Sequence, residues 1–300
     1  MGAGVAGAAC AARLRRAGLE VDVLERGRAP GGRLASPEIR NRRVDLGAAY
    51  FTVADESFRS VVDDWADRGL ARSWTDTVDA FSADGRQTKR GPMRWAARSG
   101  LRSLVHDLLP DPVLGVEVDD IGALPHDAVV LAMPDPQAAR LAGDTFDWVE
   151  FEPVIAVALG WDERCWPIAD AAFVNDDPDI TLVADDGARR GDGAPVLVAH
   201  TTAELARTHL AAPDGAIEPV RAALTRVLGV GDEPWWTHAH RWTYAKPAGT
   251  HGDEPYGLSE AGSRPLGVCG DAWCPSGSPR VEAAWLSGSR LGAELAAALS

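Results

Sequence analysis

The sequence predicts an α/β protein with a Rossmann-like dinucleotide-binding domain that lacks its first strand. Three observations predict this class: a glycine-rich turn at residues 2–7, a strand pattern that ends in an acid at residue 25, and a strand followed by a long helix over residues 265–299. Of the 300 residues, 46% are hydrophobic and 25% are charged, which is close to the average of folded proteins. A chain of this length is long enough for two domains.

The first motif is a glycine turn at the very start of the chain. Gly2, Gly4 and Gly7 have the spacing G-x-G-x-x-G, which lets backbone amides approach a pyrophosphate. Residues 8–17 are good helix formers, so the following helix is present, but only Met1 stands where a hydrophobic strand should precede the turn. We therefore expect that Met1 is not the natural start and that a short strand is encoded upstream. The alternative is a truncated protein that binds its cofactor weakly or not at all.

The second motif is the acid at position 25. Residues 19–24 have the pattern of a buried parallel strand, and Glu25 ends it. An acid at about this distance from the glycine turn accepts the ribose hydroxyl hydrogen bonds in dinucleotide-binding units. The turn, helix, strand and acid together predict a dinucleotide site, with an ordinary strand–helix turn as the alternative.

The segment after Glu25 indicates which dinucleotide is bound. Arg26 follows directly, and Gly31-Gly32-Arg33 resembles the double-glycine segment that follows the ribose acid in many FAD-dependent oxidoreductases of the amine oxidase type. Adjacent glycines permit close approach of the backbone, and Arg33 adds a fixed charge against the pyrophosphate. An arginine-rich surface loop is the alternative interpretation.

The end of the chain returns to the cofactor. Residues 265–271 read as a short buried strand that ends in Asp271, and Ser278 with Pro279 is a suitable start for a helix over 281–299. A strand thus delivers an acid beside a helix N-terminus. In flavoenzymes, this acid accepts a ribityl hydroxyl, and the positive helix end faces the N1–C2=O edge of the flavin.

Several longer segments then resemble one family. Residues 270–288, GDAWCPSGSPRVEAAWLSG, resemble the C-terminal signature of the renalase-like branch of FAD-dependent amine oxidases. Segments that resemble the same branch in the same order are 45–52 (DLGAAYFT), 127–134 (DAVVLAMP), 172–175 (AFVN) and 240–245 (HRWTYA). The matches extend over nearly the whole chain.

This resemblance implies a discontinuous FAD-binding domain into which an α+β substrate domain built on a mixed sheet is inserted. Residues 1–50, 101–140 and 262–300 would form the FAD-binding domain, and residues 51–100 and 141–261 the substrate domain. Within the latter, residues 154–161 and 195–199 look like strands, and residues 184–195 read as a polar hairpin or surface loop.

The motifs and the resemblance together assign the cofactor contacts. The predicted FAD-binding residues are Gly2, Gly4, Gly7, Glu25, Arg26, Gly32, Arg33, Tyr50, Phe51, Val118, Gly270, Asp271, Val281 and Glu282. Three departures from the family bear on this assignment: Ala49 stands where Gln is common, Ala283 replaces a common Gly, and residues 119–126 are shorter than the usual hairpin.

Aromatic residues in the last third of the chain are candidates for the substrate pocket. Trp242 and Tyr244 have the spacing that places two side chains on one strand face, so they are the best pair for stacking on a flat substrate. Tyr50 is the third candidate, by the resemblance. Core packing is the alternative for each of them.

Composition excludes several other classes. The net charge of -14 and the pI of about 4.9 argue against nucleic acid and anionic membranes as partners. No uninterrupted apolar run is long enough for a membrane span, and the start does not resemble a signal peptide, so we expect a cytoplasmic protein. Arginine outnumbers lysine in an Ala- and Gly-rich chain, which suggests a GC-rich bacterial genome.

Cysteine and histidine positions do not suggest a metal. The four cysteines fit no metal-ligand spacing, and we expect them to be reduced. His238 and His240 would share a strand face without a third ligand nearby in sequence, so no metal site is predicted.

The expected function follows from the flavin, which accepts a hydride and must then be reoxidised. The resemblance implies that a small substrate, a dihydronicotinamide isomer, is oxidised to NAD(P)+, with O2 reduced to H2O2. Two alternatives stay open: an amine oxidase-type flavoenzyme that acts on another small donor, and a binding module without catalysis. The sequence does not identify a catalytic acid or base, and it does not indicate an oligomeric state.

Overall fold

The structure is a computed structural model that describes residues 1–260, 264–275 and 280–299. Its α-helices are α1 (Val5–Arg16), α2 (Glu56–Asp67), α3 (Arg102–Leu108), α4 (Asp135–Ala142), α5 (Asp186–Arg190), α6 (Ala203–His209), α7 (Ile217–Leu228) and α8 (Val281–Leu299). Short 3-10 helices cover Gly32–Leu34, Ile121–Ala123, Gly143–Thr145 and Pro213–Ala216. The predicted helix start at Ser278 and Pro279 lies outside the described residues.

The strands form four sheets. They are β1 (Leu24–Glu25), β2 (Glu38–Ile39), β3 (Arg42–Arg43), β4 (Ala71–Ser82), β5 (Gly85–Ala97), β6 (Val113–Leu114), β7 (Val129–Leu131), β8 (Phe151–Gly160), β9 (Ala171–Val174), β10 (Ile180–Asp185), β11 (Val196–Thr201), β12 (Trp236–Pro247), β13 (Gly257–Ser259) and β14 (Leu266–Val268). The predicted strands at 154–161 and 195–199 correspond to β8 and β11. Helices are interspersed among the strands along the chain, so the protein contains both α and β elements throughout.

The largest sheet has seven strands in the order β12-β8-β11-β10-β9-β4-β5. All neighbours are antiparallel except β4 and β9, so the sheet is mixed, as expected. One face packs against α6 and α7 through a core that includes Ile155, Val157 and Leu197. The opposite face, which we call the inner face, carries Ala156, Val198 and their neighbours and packs against the segment around Val44 and Leu46.

The nucleotide-binding sheet is divided into two parts. β1 pairs in parallel with β6, while β14 pairs in parallel with β7 and antiparallel with β13. Met1 and Gly2 bridge the parts: the Met1 amino group donates to the Val130 carbonyl at 2.6 Å, and the Gly2 N–H donates to the Leu24 carbonyl at 2.8 Å. Of the predicted strand at 19–24, only the last residue belongs to β1, because a strand forms only where a neighbouring strand offers hydrogen-bond partners. Whether a strand is encoded before Met1 stays a prediction.

Helices α1 and α8 pack so closely that the backbone of one helix contacts the backbone of the other. A Cβ on Gly288 would lie 2.0 Å from the carbonyl oxygen of Ala6, and a Cβ on Gly292 would lie 2.7 Å from that of Cys10. Apolar residues of α1, α2, α3 and α8 share one core beside the nucleotide-binding sheet. This core fixes the helix N-termini that face the candidate site.

Two segments make contacts across the expected domain limits. Helix α2 packs with Phe58 and Trp65 into a core that also holds Trp285 of α8 and Ala71 of β4. β13 pairs with β14, which the FAD-binding limits include. The domain limits themselves stay a prediction.

Residues 184–195 connect the adjacent antiparallel strands β10 and β11, as the hairpin interpretation predicted, but the surface-loop interpretation is wrong. Residues 184 and 185 end β10, and residues 186–190 form the buried helix α5, in which Arg189 is 0% exposed. Charged residues are buried here because they pair with one another and with the 42–49 segment, which composition alone does not reveal.

Across the ranges that the structure describes, no helix is both long enough and apolar enough to cross a bilayer.

Candidate active site

The glycine turn and the start of α1 present backbone amides to open space. Gly2 has a φ of +92°, which favours glycine, and a Cβ on Gly7 would lie 2.1 Å from the Gly2 carbonyl oxygen. A Cβ on Gly4, the N-cap of α1, would meet no described atom within 4 Å, and no described side chain caps the helix. The first N–H groups of α1 are therefore free to bind a phosphate.

Glu25 lies at the end of β1, directly beside this turn. Its carboxylate accepts the N–H of Ala3 at 2.8 Å and the N–H of Gly27 at 2.6 Å. The N–H of Val116 donates to the Glu25 carbonyl at 3.0 Å, and half-buried Val118 follows two residues later. The backbone predicted to lie beside the adenine thus runs next to the predicted ribose acid.

The double-glycine segment closes over the turn. The N–H of Gly31 donates to the Ala3 carbonyl at 2.8 Å, and a Cβ on Gly32 would lie 3.5 Å from the Cα of Gly4. Both glycines have positive φ, +112° and +49°. Arg26, in contrast, has a 59% exposed side chain and one long ion pair of 3.8 Å at the surface.

Sequence reasoning missed Arg102, which packs against this segment. A Cβ on Gly31 would lie 3.0 Å from the Arg102 Cγ, and the Arg102 Nε is buried without a hydrogen-bond partner in the described part of the chain. Burial and the charge of Arg43 lower the pKa of Arg102, while Asp45 opposes this. A cation in this position suits a phosphate. No sequence motif marks it, because only the fold brings α3 to the glycine pair.

Arg33 and Asp271 meet, although they are 238 residues apart in the sequence. The two guanidinium nitrogens donate to the two carboxylate oxygens at 2.8 and 2.6 Å, and Nη1 also donates to the Ala245 carbonyl at 3.0 Å. The guanidinium lies 5.5 Å from the ring centre of Phe151. The two side chains that were predicted to hold different parts of the cofactor therefore form one bidentate pair under the seven-stranded sheet.

The start of α8 is tied to the end of β14. The N–H of Gly270 donates to Ser287 Oγ at 3.1 Å, and the helix covers Val281–Leu299. The Glu282 carboxylate accepts the N–H groups of residues 54 and 55 at 2.7 and 2.8 Å. Because this side chain serves the start of α2, only the backbone of Glu282 is left for a cofactor.

These features fit the two ends of FAD. Free N–H groups of α1 and the guanidinium of Arg102 suit the pyrophosphate, Glu25 suits a ribose, and Asp271 suits a ribityl hydroxyl. The Gly31–Arg33 segment connects the two acids, since Gly31 is bonded to Ala3 at one end and Arg33 to Asp271 at the other.

The candidate stacking pair is tied to different elements. The pairing of β12 with β8 is irregular between Trp242 and Lys246, so the alternation of side chains is interrupted there. The indole N–H of Trp242 donates to the Leu46 carbonyl at 2.7 Å, whereas the Tyr244 hydroxyl accepts a hydrogen bond from Arg140 at 2.9 Å. Trp242 thus has a scaffold contact, and joint stacking of the two on a substrate stays a prediction.

Tyr50 and Phe51 face different environments. The half-buried ring of Tyr50 lies 6.3 Å from the ring of Trp74 and 5.2 Å from the guanidinium of Arg94. Phe51 is 2% exposed and stacks on Trp95 at 6.5 Å in the core. The side chain of Phe51 is therefore a packing residue, and its backbone N–H and carbonyl both bond to Trp95.

Two histidines lie on the inner face of the seven-stranded sheet. His200 and His240 both pair with Ala156, which places them on the side that carries Leu46. Burial, followed by the charges of Arg189 and Lys246, lowers the pKa of His200 to about 3. Burial also lowers the pKa of His240. His200 is therefore neutral at physiological pH, and no sequence pattern marked it.

A buried His–Asp pair lies beside Asp271. His251 Nε2 lies 2.6 Å from the Asp135 carboxylate, and its ring stacks on Trp273 at 3.5 Å. The backbone N–H of His251 donates to the Ala272 carbonyl at 3.0 Å. The pair fixes the backbone that carries Asp271. It was missed because its members are 116 residues apart.

The cysteines do not form a reactive centre. None of the four forms a disulfide within the described residues, and Cys10, Cys269 and Cys274 are buried. Burial raises the pKa of Cys10 to about 12 and raises that of Cys269 as well, so both stay protonated thiols. Among the described residues, no group of three His, Cys, Asp or Glu side chains could hold a metal ion.

Family models match most of the sequence. Residues 1–65 match the model of an NAD(P)-binding Rossmann-like domain, and residues 69–295 match the model of flavin containing amine oxidoreductases. Renalase from Mus musculus is 23% identical to the chain over an aligned length of 323 residues, gaps included. The alignment covers 90% of this chain and 90% of renalase.

Solved structures share the fold. A protein from Exiguobacterium described as a protoporphyrinogen oxidase has a TM-score of 0.78 at 15% identity, covering 99% of this chain and 98% of that one. Cyclohexylamine oxidase from Brevibacterium oxydans has a TM-score of 0.72 at 13% identity, with the same coverage. At these identities the likeness shows the fold alone, and it confirms the predicted α/β class.

Proposed function

The chain belongs to the flavin-containing amine oxidoreductase family and is an FAD-dependent oxidoreductase, and on that premise we propose that it oxidises dihydronicotinamide isomers. In this reaction the substrate loses a hydride and becomes NAD(P)+, and O2 takes up two electrons and two protons to give H2O2. The renalase-like substrate is supported by the likeness to mouse renalase along nine-tenths of both chains.

The observation that carries the redox function is the edge where Glu25 and Asp271 flank the Gly31–Arg33 segment. When bound there, FAD supplies a two-electron acceptor that returns the electrons to oxygen. Glu25 and Asp271 accept hydrogen bonds from cofactor hydroxyls. Arg33 orients the Asp271 carboxylate through two parallel hydrogen bonds.

The chemistry makes no demand for a protein base. Loss of a hydride from a dihydronicotinamide leaves an aromatic pyridinium ring, so no proton has to be removed from the substrate. An amine, in contrast, is protonated at neutral pH and must lose a proton before it can give up a hydride. The neutral imidazole of His200 is a polar group on the inner face of the sheet that can orient a substrate without taking up a proton.

We predict that the purified protein is yellow, with a flavin absorbance band at about 450 nm. Anaerobic addition of a dihydronicotinamide isomer should bleach this band within seconds, and air should restore it with release of H2O2. Putrescine and cyclohexylamine serve as matched amine donors. Bleaching by the amines alone would replace the proposal with amine oxidation, and a colourless protein that binds no added FAD would indicate a binding module.

A further inference from the structure

One buried arginine has no acidic partner. Arg94 on β5 is 7% exposed and forms no ion pair with any carboxylate of the described residues. Its Nη1 reaches the carbonyl of Pro92 at 3.4 Å, a long contact, and its Nε is buried without a hydrogen bond. An unpaired buried charge destabilises the folded protein, so the Arg94 guanidinium is suited to a partner that carries a negative charge.

The other deeply buried arginines show how this protein normally solves that problem. Arg189, which is 0% exposed, pairs with Asp186 and donates to the carbonyls of Ala49 and Asp45 at 2.9 and 3.1 Å. Arg190 lies 3.3 Å from the Asp45 carboxylate. Arg94 differs from both, since its neighbours offer an aromatic face and further donors.

The aromatic face belongs to Tyr50, and the ring of Tyr50 in turn lies next to Trp74. The Arg94 guanidinium lies over the Tyr50 ring at 5.2 Å, and the Tyr50 and Trp74 ring centres are 6.3 Å apart. The indole N–H of Trp74 is buried, and no described residue accepts a hydrogen bond from it. Indole and guanidinium groups can only donate. These three described side chains therefore hold unfilled donors and a positive charge, and among them the tyrosine hydroxyl alone can accept a hydrogen bond.

The cluster is linked through the backbone to the segment that holds the cofactor acid. Tyr50 stands two residues after Ala48, whose N–H donates to the Arg33 carbonyl at 2.9 Å, and the side chain of Arg33 holds Asp271. Phe51, next in the chain, exchanges backbone hydrogen bonds with Trp95 at 3.1 and 2.8 Å, which fixes Tyr50 beside Arg94.

We propose that Arg94, Trp74 and Tyr50 form a subsite that binds an oxyanion of the substrate, a carboxylate or a phosphate. This rests on the proposed function, because it names the class of substrate that the flavin oxidises. A guanidinium in a sparsely hydrated site binds such groups with charge-assisted hydrogen bonds and repels a simple cationic amine. Anionic donors are therefore the substrates, and monoamines and diamines without an acidic group bind poorly.

The test uses the holoenzyme and three small probes. Benzoate and inorganic phosphate distinguish a carboxylate from a phosphate, and benzamide is the neutral control of the same shape as benzoate. Binding is measured by calorimetry and by the shift of the flavin absorbance. The variants are Arg94→Gln, Trp74→Phe and Arg90→Gln. Arg90 is the matched control, since it lies on the same strand with an 82% exposed side chain.

We expect at least one anion to bind the unchanged enzyme and the Arg90→Gln variant equally, and benzamide to bind neither. Arg94→Gln should weaken anion binding by about tenfold or more, and Trp74→Phe, which keeps the ring, by about threefold. The Michaelis constant of an anionic donor should rise in parallel, while the limiting rate of flavin reduction changes less.

The proposal is overturned if no anion binds, if benzamide binds as tightly as benzoate, or if Arg94→Gln binds anions like Arg90→Gln. These results are separable from the proposed function. Reduction of the flavin by dihydronicotinamide isomers with an unchanged Michaelis constant in Arg94→Gln would refute the subsite and leave the activity standing. Anion binding that depends on Arg94, without reduction of the flavin by dihydronicotinamide isomers, would support the subsite and refute the proposed activity.

Discussion

His200 is a residue whose charge state is set by its place in the fold. Its ordinary pKa of 6.5 falls to about 3 because burial removes hydration, and Arg189 and Lys246 repel a further positive charge. In the unfolded chain the same imidazole takes up a proton near its ordinary pKa. The folded and unfolded states therefore bind different numbers of protons below that pH.

This difference predicts a pH-dependent stability. As the pH falls below 6.5, the unfolded state binds the His200 proton and the folded state does not until about pH 3. The free energy of unfolding should therefore drop by up to about 1.4 kcal/mol per pH unit from this residue. His200→Gln should remove that part of the slope in denaturant unfolding between about pH 5 and about pH 8. The exposed His106→Gln is the control, and equal slopes in both variants would contradict the assignment.

At the scale of elements, the contact between α1 and α8 depends on two glycines of α8, which have no side chain to keep the backbones apart. Gly288 and Gly292 lie one turn apart on α8 and allow its backbone to reach the backbone of α1 at Ala6 and Cys10. Glycine within a helix is entropically unfavourable, so close packing must compensate. The contact also sets the position of the glycine turn, because Gly4 is the N-cap of α1.

We predict that Gly288→Ala separates the two helices. The new Cβ would lie 2.0 Å from the Ala6 carbonyl oxygen, so the backbone must move, at a cost of about 1–3 kcal/mol. Thermal unfolding should show the loss, and FAD should dissociate more readily on gel filtration. Ser289→Ala, one residue further along the same helix, is the control and should change neither. A Gly288→Ala variant with wild-type stability and flavin content would refute this role.

At the scale of the whole molecule, a buried ionic cluster joins the seven-stranded sheet to the nucleotide-binding part. Asp186 of α5 pairs with Arg42, Arg189 and Arg190, and Arg189 reaches the backbone of the 45–49 segment. Burial by itself raises the pKa of Asp186, but the three arginine charges together lower it to about 2. The carboxylate is thus ionised throughout the physiological range.

Asp186→Asn should destabilise the protein by about 3–5 kcal/mol, because it leaves buried guanidinium groups without their counter-charge. Urea unfolding at neutral pH measures this loss. Glu218→Gln is the matched control: its side chain is 75% exposed in an ion pair with Arg221, so the change should cost less than about 1 kcal/mol. Equal midpoints for the two variants would show that the cluster does not hold the molecule together.

Much of the fold was predictable because its signals are local. The helix after the glycine turn, the closing helix and the strands β8 and β11 follow from periodicity, which depends on neighbours within a few residues. Helix α5 was not predictable. A run of Asp and Arg at 185–190 has the composition of a solvated loop, and only partners more than a hundred residues away make it a buried helix.

The candidate site divides in the same way. Glu25, the glycines and Asp271 are predicted cofactor contacts because a phosphate or a ribose hydroxyl requires these residue types at set distances from a strand end. Phe51 and Glu282 are predicted contacts too, but the side chain of Phe51 packs in the core and that of Glu282 accepts the N–H groups of residues 54 and 55. All of these cofactor contacts stay predictions. A cytoplasmic location and a bacterial source stay predictions.

By itself, the sequence determined the α/β class, the family and the cofactor, since short motifs encode backbone geometry and a charge at one strand end. The tertiary structure alone decided which distant side chains meet. It paired Arg33 with Asp271, placed Arg102 against the glycines, made His200 neutral and left Arg94 without an acid. Such contacts join residues far apart in the chain, and their energies depend on burial and neighbouring charge, which no local pattern specifies.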